Sequence, residues 1–237
     1  MTVEEKNEQE AKVDPNAGLP EGVTRAQVDE WKSRYANVSI ARVAGTTIIC
    51  RAITREEMAG FRTRAAGREE VLTDLMVQQG ILWKQDTKAA TNAAGFSEGA
   101  RQVIEKASEV DTCRLLQIDE AVAEKWGEIT ADLAEEGTYS KEDLVDIAQF
   151  QGKDIWACFT NKSIFVLTYV SKGMYADALS GNLDPIALEE RLIQAALVHP
   201  RLITTATLRN LPFGVVDSLG YYGALISGFQ PEQPVLL

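Results

Sequence analysis

Between residues 38 and 53 the chain reads VSIARVAGTTIICRAI, two runs rich in β-branched residues around Ala44-Gly45-Thr46, and Thr54-Arg55-Glu56-Glu57 follows. The pattern predicts a strand, a tight turn, a second strand and a helix start. Thr54 and Glu57 have capping-box spacing, in which the hydroxyl accepts the N3 backbone N–H and the carboxylate reaches back to the cap. Met58 and Phe61 then place a helix over 55–65, ended at Gly67. Thr24 and Gln27 share that spacing, and Val28, Trp31 and Tyr35 fall on one face of a helix over 25–36 anchored by Trp31. Glu69-Glu70 put carboxylates where a first helical turn favours them, and Val71, Leu72, Leu75 and Met76 carry that helix to Gly80. After a Thr/Ala/Asn-rich loop over 84–94, Phe96, Ala100, Val103, Ile104 and Ala107 keep helical spacing. Leu115, Leu116, Ile118, Val122, Trp126, Ile129 and Leu133 recur mainly at three- and four-residue steps, which predicts a connecting helix. Ser140 restarts a helix through Leu144 and Ile147.

The opening pattern then returns. IWACFTNKSIFVLTYV, from 155, again reads strand, polar turn, strand, with Ser171-Lys172 where the first passage has Thr54-Arg55. From 38 to 155 the offset is 117 residues, and Ala44-Gly45 falls opposite Asn161-Lys162. LEERLIQAALVHP around Glu189-Glu190 parallels REEVLTDLMVQQG around Glu69-Glu70 at an offset of 120, and Phe213 parallels Phe96 at 117. Residue class and turn position agree while identities scarcely do, so tandem duplication and a single mixed domain both remain open. The expected fold is α+β and helix-rich, with two similar units, each a β-hairpin covered on one face by several helices. The expected division is a flexible arm over 1–22, a first unit over 23–112, a connecting helix over 113–136, a second unit over 137–230 and a tail over 231–237. The arm is expected because charged residues, Asn, Gln, Pro and Gly dominate there and bury too little to offset ordering entropy.

With 24 Lys and Arg against 35 Asp and Glu the net charge is −11, which repels phosphate backbones and anionic membrane surfaces. Neither nucleic acid nor a membrane is expected as a partner. No apolar run approaches the roughly 20 residues of a bilayer span, and acidic residues stand where a secretory signal carries positive ones. A cytoplasmic origin is the expectation. Cys50, Cys113 and Cys158 form no C-x-x-C pair and are expected to be reduced packing residues.

No cluster announces a reaction. His199 is the only histidine, which excludes a two-histidine metal centre, and in Val198-His199-Pro200 it is expected to close a helix. Glu56-Glu57, Glu69-Glu70, Glu135-Glu136 and Glu189-Glu190 are adjacent pairs, and adjacent helical residues diverge by about 100°, so they do not converge for acid–base work. Helix N-terminal electrostatics accounts for three of the pairs, and Asp184-Pro185 reads as a cap followed by proline at the first helical position. Gly214, Gly220, Gly223 and Gly228 match no nucleotide-binding loop and instead suit a close helix approach. No cofactor, metal or small-molecule substrate is expected. The candidates that remain are docking residues: Tyr221, Tyr222 and Phe229, which with Leu225 and Ile226 make an apolar surface that either seals the core or forms a subunit contact, Val235, Leu236 and Leu237 in the tail, and Arg51 and Arg55 in a basic stretch with Arg62, Arg64 and Arg68. That stretch either pairs with the chain's own carboxylates or meets an acidic subunit.

The run Val28-Asp29-Glu30-Trp31-Lys32, Tyr35 and Val38, then Ile48-Ile49-Cys50-Arg51-Ala52-Ile53-Thr54-Arg55-Glu56-Glu57, resembles tail and baseplate assembly proteins of contractile-tailed bacteriophages. In those a Trp-Lys helix precedes a hairpin whose last strand ends in Arg, followed by a Thr-Arg-Glu helix start. The resemblance spans about residues 28–110; this chain departs from it at Cys50 and, in the second passage, at Thr168. It implies a non-enzymatic structural protein of the virion tail that docks on other tail or baseplate proteins, or on itself. The alternatives are a tail-assembly chaperone that leaves before maturation and a small cytoplasmic enzyme whose site converges only in three dimensions.

Overall fold

The computed structural model describes residues 16–85, 96–110, 112–135, 154–161, 163–181, 183, 185–201 and 203–228. Outside these lie most of the expected arm, the loop over 86–94, the helix from Ser140, Asp184, Phe229 and the tail with Val235, Leu236 and Leu237. The chain is α+β, with a three-stranded and a four-stranded antiparallel sheet.

The first unit opens with α1 (Arg25–Arg34), whose Thr24/Gln27 capping box forms as expected. Ahead of it Leu19 packs with Val23 and Val28, so the end of the expected arm is part of the core. Strands β1 (Ser39–Val43) and β2 (Thr46–Cys50) follow. Ala44 and Gly45 have φ of 47° and 82°, and two positive φ values in a two-residue connection match the twist of the strands it joins. The Thr54/Glu57 capping box starts α2 (Arg55–Ala65), and α3 (Glu69–Gly80) leads directly into β3 (Ile81–Lys84), which pairs with β2. Helix α4 (Phe96–Ala107) completes the unit.

The second unit has β4 (Arg114–Gln117), α5 (Glu120–Glu124), α6 (Trp126–Glu135), β5 (Ile155–Phe159) and β6 (Ile164–Thr168). Then come α7 (Lys172–Leu179), α8 (Pro185–Ala196), β7 (Leu197–His199), α9 (Thr205–Asn210) and α10 (Phe213–Ile226). The strand order is β4-β5-β6-β7.

Four expectations are corrected. The connecting helix over 113–136 does not form as one element: its start is β4. Leu115 faces the core around Cys158 and Leu167, while Leu116 and Ile118 face Trp126 and Ile129. With both faces covered the strand has no polar side, so the apolar spacing could not distinguish it from a helix. Each unit contains more than a hairpin, because β3 and β7, short apolar runs directly after a helix, add a third strand. Each sheet is covered on both faces rather than one. Ile49 packs toward α1 while Cys50 packs toward α2 and α3, and Ile155, Ala157 and Phe159 face α5 and α6 while Cys158, Phe165 and Leu167 face α8 and α10. This two-sided burial is why IFVL, the first four residues of β6, is continuously apolar. Finally, His199 belongs to β7, opposite Val166, and does not close a helix.

The two units share an element order, with α9 lying between the short strand and the last helix of the second. Hairpin, two helices, short strand and helix start at 39, 55, 69, 81 and 96 in the first and at 155, 172, 185, 197 and 213 in the second, offsets of 116 or 117 throughout. The hairpin registers are centred between residues 44 and 45 and between 161 and 162. The third strand joins with a register shift between Ile49 and Cys50 and between Val166 and Leu167, again 117 apart.

Candidate functional site

The seam between the units starts from backbone. Arg55 N–H donates to the Leu211 carbonyl at 3.0 Å and Phe213 N–H to the Ile53 carbonyl at 3.0 Å, so residues 53–55 and 211–213 pair like a fragment of sheet. Phe213, the first residue of α10, is thereby planted in the core of the first unit beside Cys50, Ile53 and Met58. Gly214 makes this entry sterically feasible, since a Cβ there would lie 2.5 Å from the Glu109 carbonyl carbon and 2.4 Å from the Val110 nitrogen. Glu109, buried at φ 63°, accepts from Asn37 Nδ2 at 2.8 Å and from the Asn161 N–H at 2.9 Å, one partner in each unit. Buried Ser108 Oγ accepts the Ile53 N–H at 2.8 Å and donates to the Ile104 carbonyl at 2.7 Å.

Across this seam Arg55, 4% exposed, pairs with two carboxylates. Its Nη1 lies 2.6 Å from Asp217 Oδ1, and its Nη2 pairs with Glu189 Oε2. Arg62 Nη2 reaches the other Asp217 oxygen at 3.3 Å. A planar guanidinium suits this bridge because its fork presents two donors to two carboxylates at once. Burial pushes the Glu189 carboxyl above the usual range, and the Asp217 charge adds to that push while Arg55 opposes it. On α8, Gly220 of α10 clears the space for Glu189, whose Oε1 would meet a Cβ at 2.7 Å.

Two clefts flank this centre. One, of about 450 Å³, runs between α8 and α10 and is walled by Val170, Pro185, Leu188 and Leu192, with Glu189 and Asp217 at its polar side. The other, of about 430 Å³, is lined by Val110, Cys113, Gly214, Ser218 and Tyr222. Asp217 and Tyr221, one turn apart on α10, line both and form the ridge between them. Tyr221 is half exposed, and its ring meets that of Tyr222 edge-on at 5.4 Å; Tyr222 Oη donates to the Cys113 carbonyl at 2.9 Å.

Tyr221 brings exposed apolar surface to the first cleft. Among the described residues the exposed large ones are Ile40, Tyr169, Met174, Leu179, Leu183 and Tyr221, so all but Ile40 belong to the second unit. Four of these lie on the stretch from 169 to 183, which leaves and rejoins the cleft at Val170 and Pro185.

The remaining sequence candidates divide clearly. Arg51 is 5% exposed; its Nη1 and Nη2 reach both Glu57 oxygens at 2.8 and 2.7 Å, and its guanidinium lies 4.6 Å from the Tyr35 ring centre. Burial disfavours the Glu57 charge, but hydrogen bonds from Arg51 and the Thr54 backbone outweigh it and hold that carboxyl below the usual range. Arg51 and Arg55 are thus engaged inside the chain. Glu189-Glu190 sit in the second turn of α8 and form ion pairs, a correction to the expectation of N-terminal electrostatics: Glu190, buried, takes Arg209 at 3.1 and 3.2 Å. Pro185 does open α8 as expected. Neither cleft is lined by His199 or Arg51, so neither gathers them with the Arg55 centre.

Sequence reasoning missed Asp217, Glu109 and the contact between Cys113 and Cys158. Asp217 did carry a signal, as the one acid in the otherwise apolar helix FGVVDSLGYYGALI. Among the described residues no group of three or more His, Cys, Asp or Glu side chains could hold a metal ion, and no helix is long and apolar enough to cross a membrane. No family model, curated protein or solved structure matches this chain.

Proposed function

We propose that the chain is a non-enzymatic structural component of the tail or baseplate of a contractile-tailed bacteriophage, acting by docking to other tail proteins and to copies of itself. The observation that carries docking is the concentration of exposed large apolar side chains in the second unit, with Tyr169, Met174, Leu179 and Leu183 on one stretch of chain and Tyr221 lining the cleft between α8 and α10. Exposed apolar groups clustered beside a cleft mark interaction surfaces more than singly scattered ones do. The particle itself is suggested by the sequence resemblance over 28–110. Under the same reading the two units descend from one duplicated unit, which the common element order and the 116- to 117-residue offsets support. Duplication also gives a reason for the asymmetry in function: the first unit contributes Arg55 and the Phe213 socket to the seam, while the second keeps its apolar surface open.

The test is mass spectrometry of purified particles. The chain is expected at a stoichiometry comparable to that of known tail subunits, and its absence rejects the structural reading. Capture on a tail protein in infected cells, together with absence from mature particles, selects the chaperone instead.

A further inference from the structure

We infer that Cys113 and Cys158 form an oxidation-sensitive thiol pair, in which Cys113 is the attacking sulfur and Cys158 the resolving one. This is independent of the docking reading. Strand pairing sets Leu115 opposite Cys158, so Cys113, two residues before Leu115, is the diagonal neighbour of Cys158 on the same face of the sheet. Both thiols belong to one core, Cys158 within it and Cys113 packed against it, and each shifts the other's titration. They differ in access. Cys158 is fully buried on a strand flanked on both sides, whereas Cys113 is half-buried and lines the 430 Å³ cleft beside Ser218 and Tyr222.

Their protonation differs in the same sense. The hydrogen bond with Cys158 pulls the Cys113 thiol down, Ser218 and Thr112 assisting against burial and the Glu109 charge. Contact with Cys113 and then burial push Cys158 up. The accessible sulfur is therefore the one favoured as thiolate, the form that reacts. Cys50 provides the contrast: it is fully buried, and burial pushes its thiol up to about 11.

The co-reactant is a hydroperoxide. The Cys113 thiolate attacks one peroxide oxygen, the O–O bond breaks, and the departing hydroxide takes a proton to become water. Sulfur is oxidised to the sulfenic acid and the peroxide is reduced. The Cys158 thiol then gives up its proton and attacks the Cys113 sulfur; the S–O bond breaks and the hydroxyl leaves as a second water. Two thiols and one hydrogen peroxide become one disulfide and two waters. The product ties the start of β4 to the centre of the sheet, directly after the Glu109–Val110 segment on which Gly214 packs.

The experiment treats the full chain with one equivalent of hydrogen peroxide, alkylates the remaining thiols after denaturation, and maps the peptides. The expected result is a Cys113–Cys158 linkage reversed by dithiothreitol, with Cys50 alkylated. Cys158→Ala is expected to halt at a sulfenic acid on Cys113 that dimedone captures, and Cys113→Ser to protect Cys158. Cys158→Ser serves as a second variant should the alanine leave a damaging cavity, with circular dichroism confirming the fold of each. Oxidation of Cys50 as fast as Cys113, linkage between chains without an internal bond, or survival of all three thiols would overturn the inference.

Discussion

Arg55 and Asp217, 162 residues apart in sequence, meet at 2.6 Å between Nη1 and Oδ1 and join the two units through a guanidinium that is 4% exposed. Arg55 also pairs with Glu189, so removing it strands two carboxylates at once. Losing one side of a buried ion pair typically costs about 3–5 kcal/mol, and because both acids here are about one-third exposed the lower end applies. Arg55→Ala is expected to lower unfolding stability by about 3 kcal/mol in denaturant titration. Arg55→Lys should recover only part of this, since a single ammonium lacks the fork that serves both partners.

Two acids are expected to respond to pH in opposite senses. Glu57 is held below the usual carboxylate range, so its contribution is present above the unfolded-state pKa and is lost as pH falls through the lower folded value. Glu189 is raised, so its contribution is present below the unfolded-state pKa and is lost as pH rises through the higher folded value. In stability–pH profiles Glu57→Gln should lie below the parent at neutral pH and approach it in acid. Glu189→Gln should instead flatten the decline on the alkaline side of the carboxylate range. Parallel profiles for the two variants would contradict this assignment.

Gly214 and Gly223 offer a matched pair on α10. A Cβ at Gly214 would meet backbone atoms of Glu109 and Val110 at 2.4–2.6 Å, atoms that Ser108 and Glu109 hold in place. Gly214→Ala is expected to destabilise by about 1–3 kcal/mol through overpacking. At Gly223 the nearest atom is Ala196 Cβ at 3.7 Å, an ordinary contact. Gly223→Ala should therefore be neutral or stabilising by up to about 1 kcal/mol through helix propensity. Thermal melts of the two variants make the comparison.

The apolar surface of the second unit has its own signature. Replacing exposed Tyr169, Leu179 and Tyr221 together by Ser should change stability little, since exposed sites away from special features usually shift it by about 0.5 kcal/mol or less each. Incorporation into particles, or association measured by light scattering, should fall with the fold intact. Unchanged incorporation would remove this face as the docking surface.

Much of the local architecture was legible in the sequence. Both capping boxes formed with their predicted partners, because Thr24/Gln27 and Thr54/Glu57 satisfy helix-start donors within four residues. The hairpin turns fell at the expected residues, and α2 and α3 kept their expected bounds. The missed strands share one cause. Strands β3, β4 and β7 are three or four residues long, too short to display a period, and β4 is apolar on both sides because helices cover both. The candidate site was less legible: Arg51 and Arg55 stood out by charge, yet Glu57 lay within the same helix start while Glu189 and Asp217 lay more than a hundred residues away.

Interactions that close within a turn of helix or a two-residue hairpin depend only on neighbours in the chain, and the sequence by itself determined them here, along with the acidic charge and the two-fold recurrence of the pattern. Only the tertiary structure decided that Phe213 fills the core of the other unit, that Arg55 is buried between distant acids, and that Cys113 meets Cys158. Those contacts bring together residues separated by 45 to 163 positions, and which of many compatible partners a side chain meets depends on how whole layers pack.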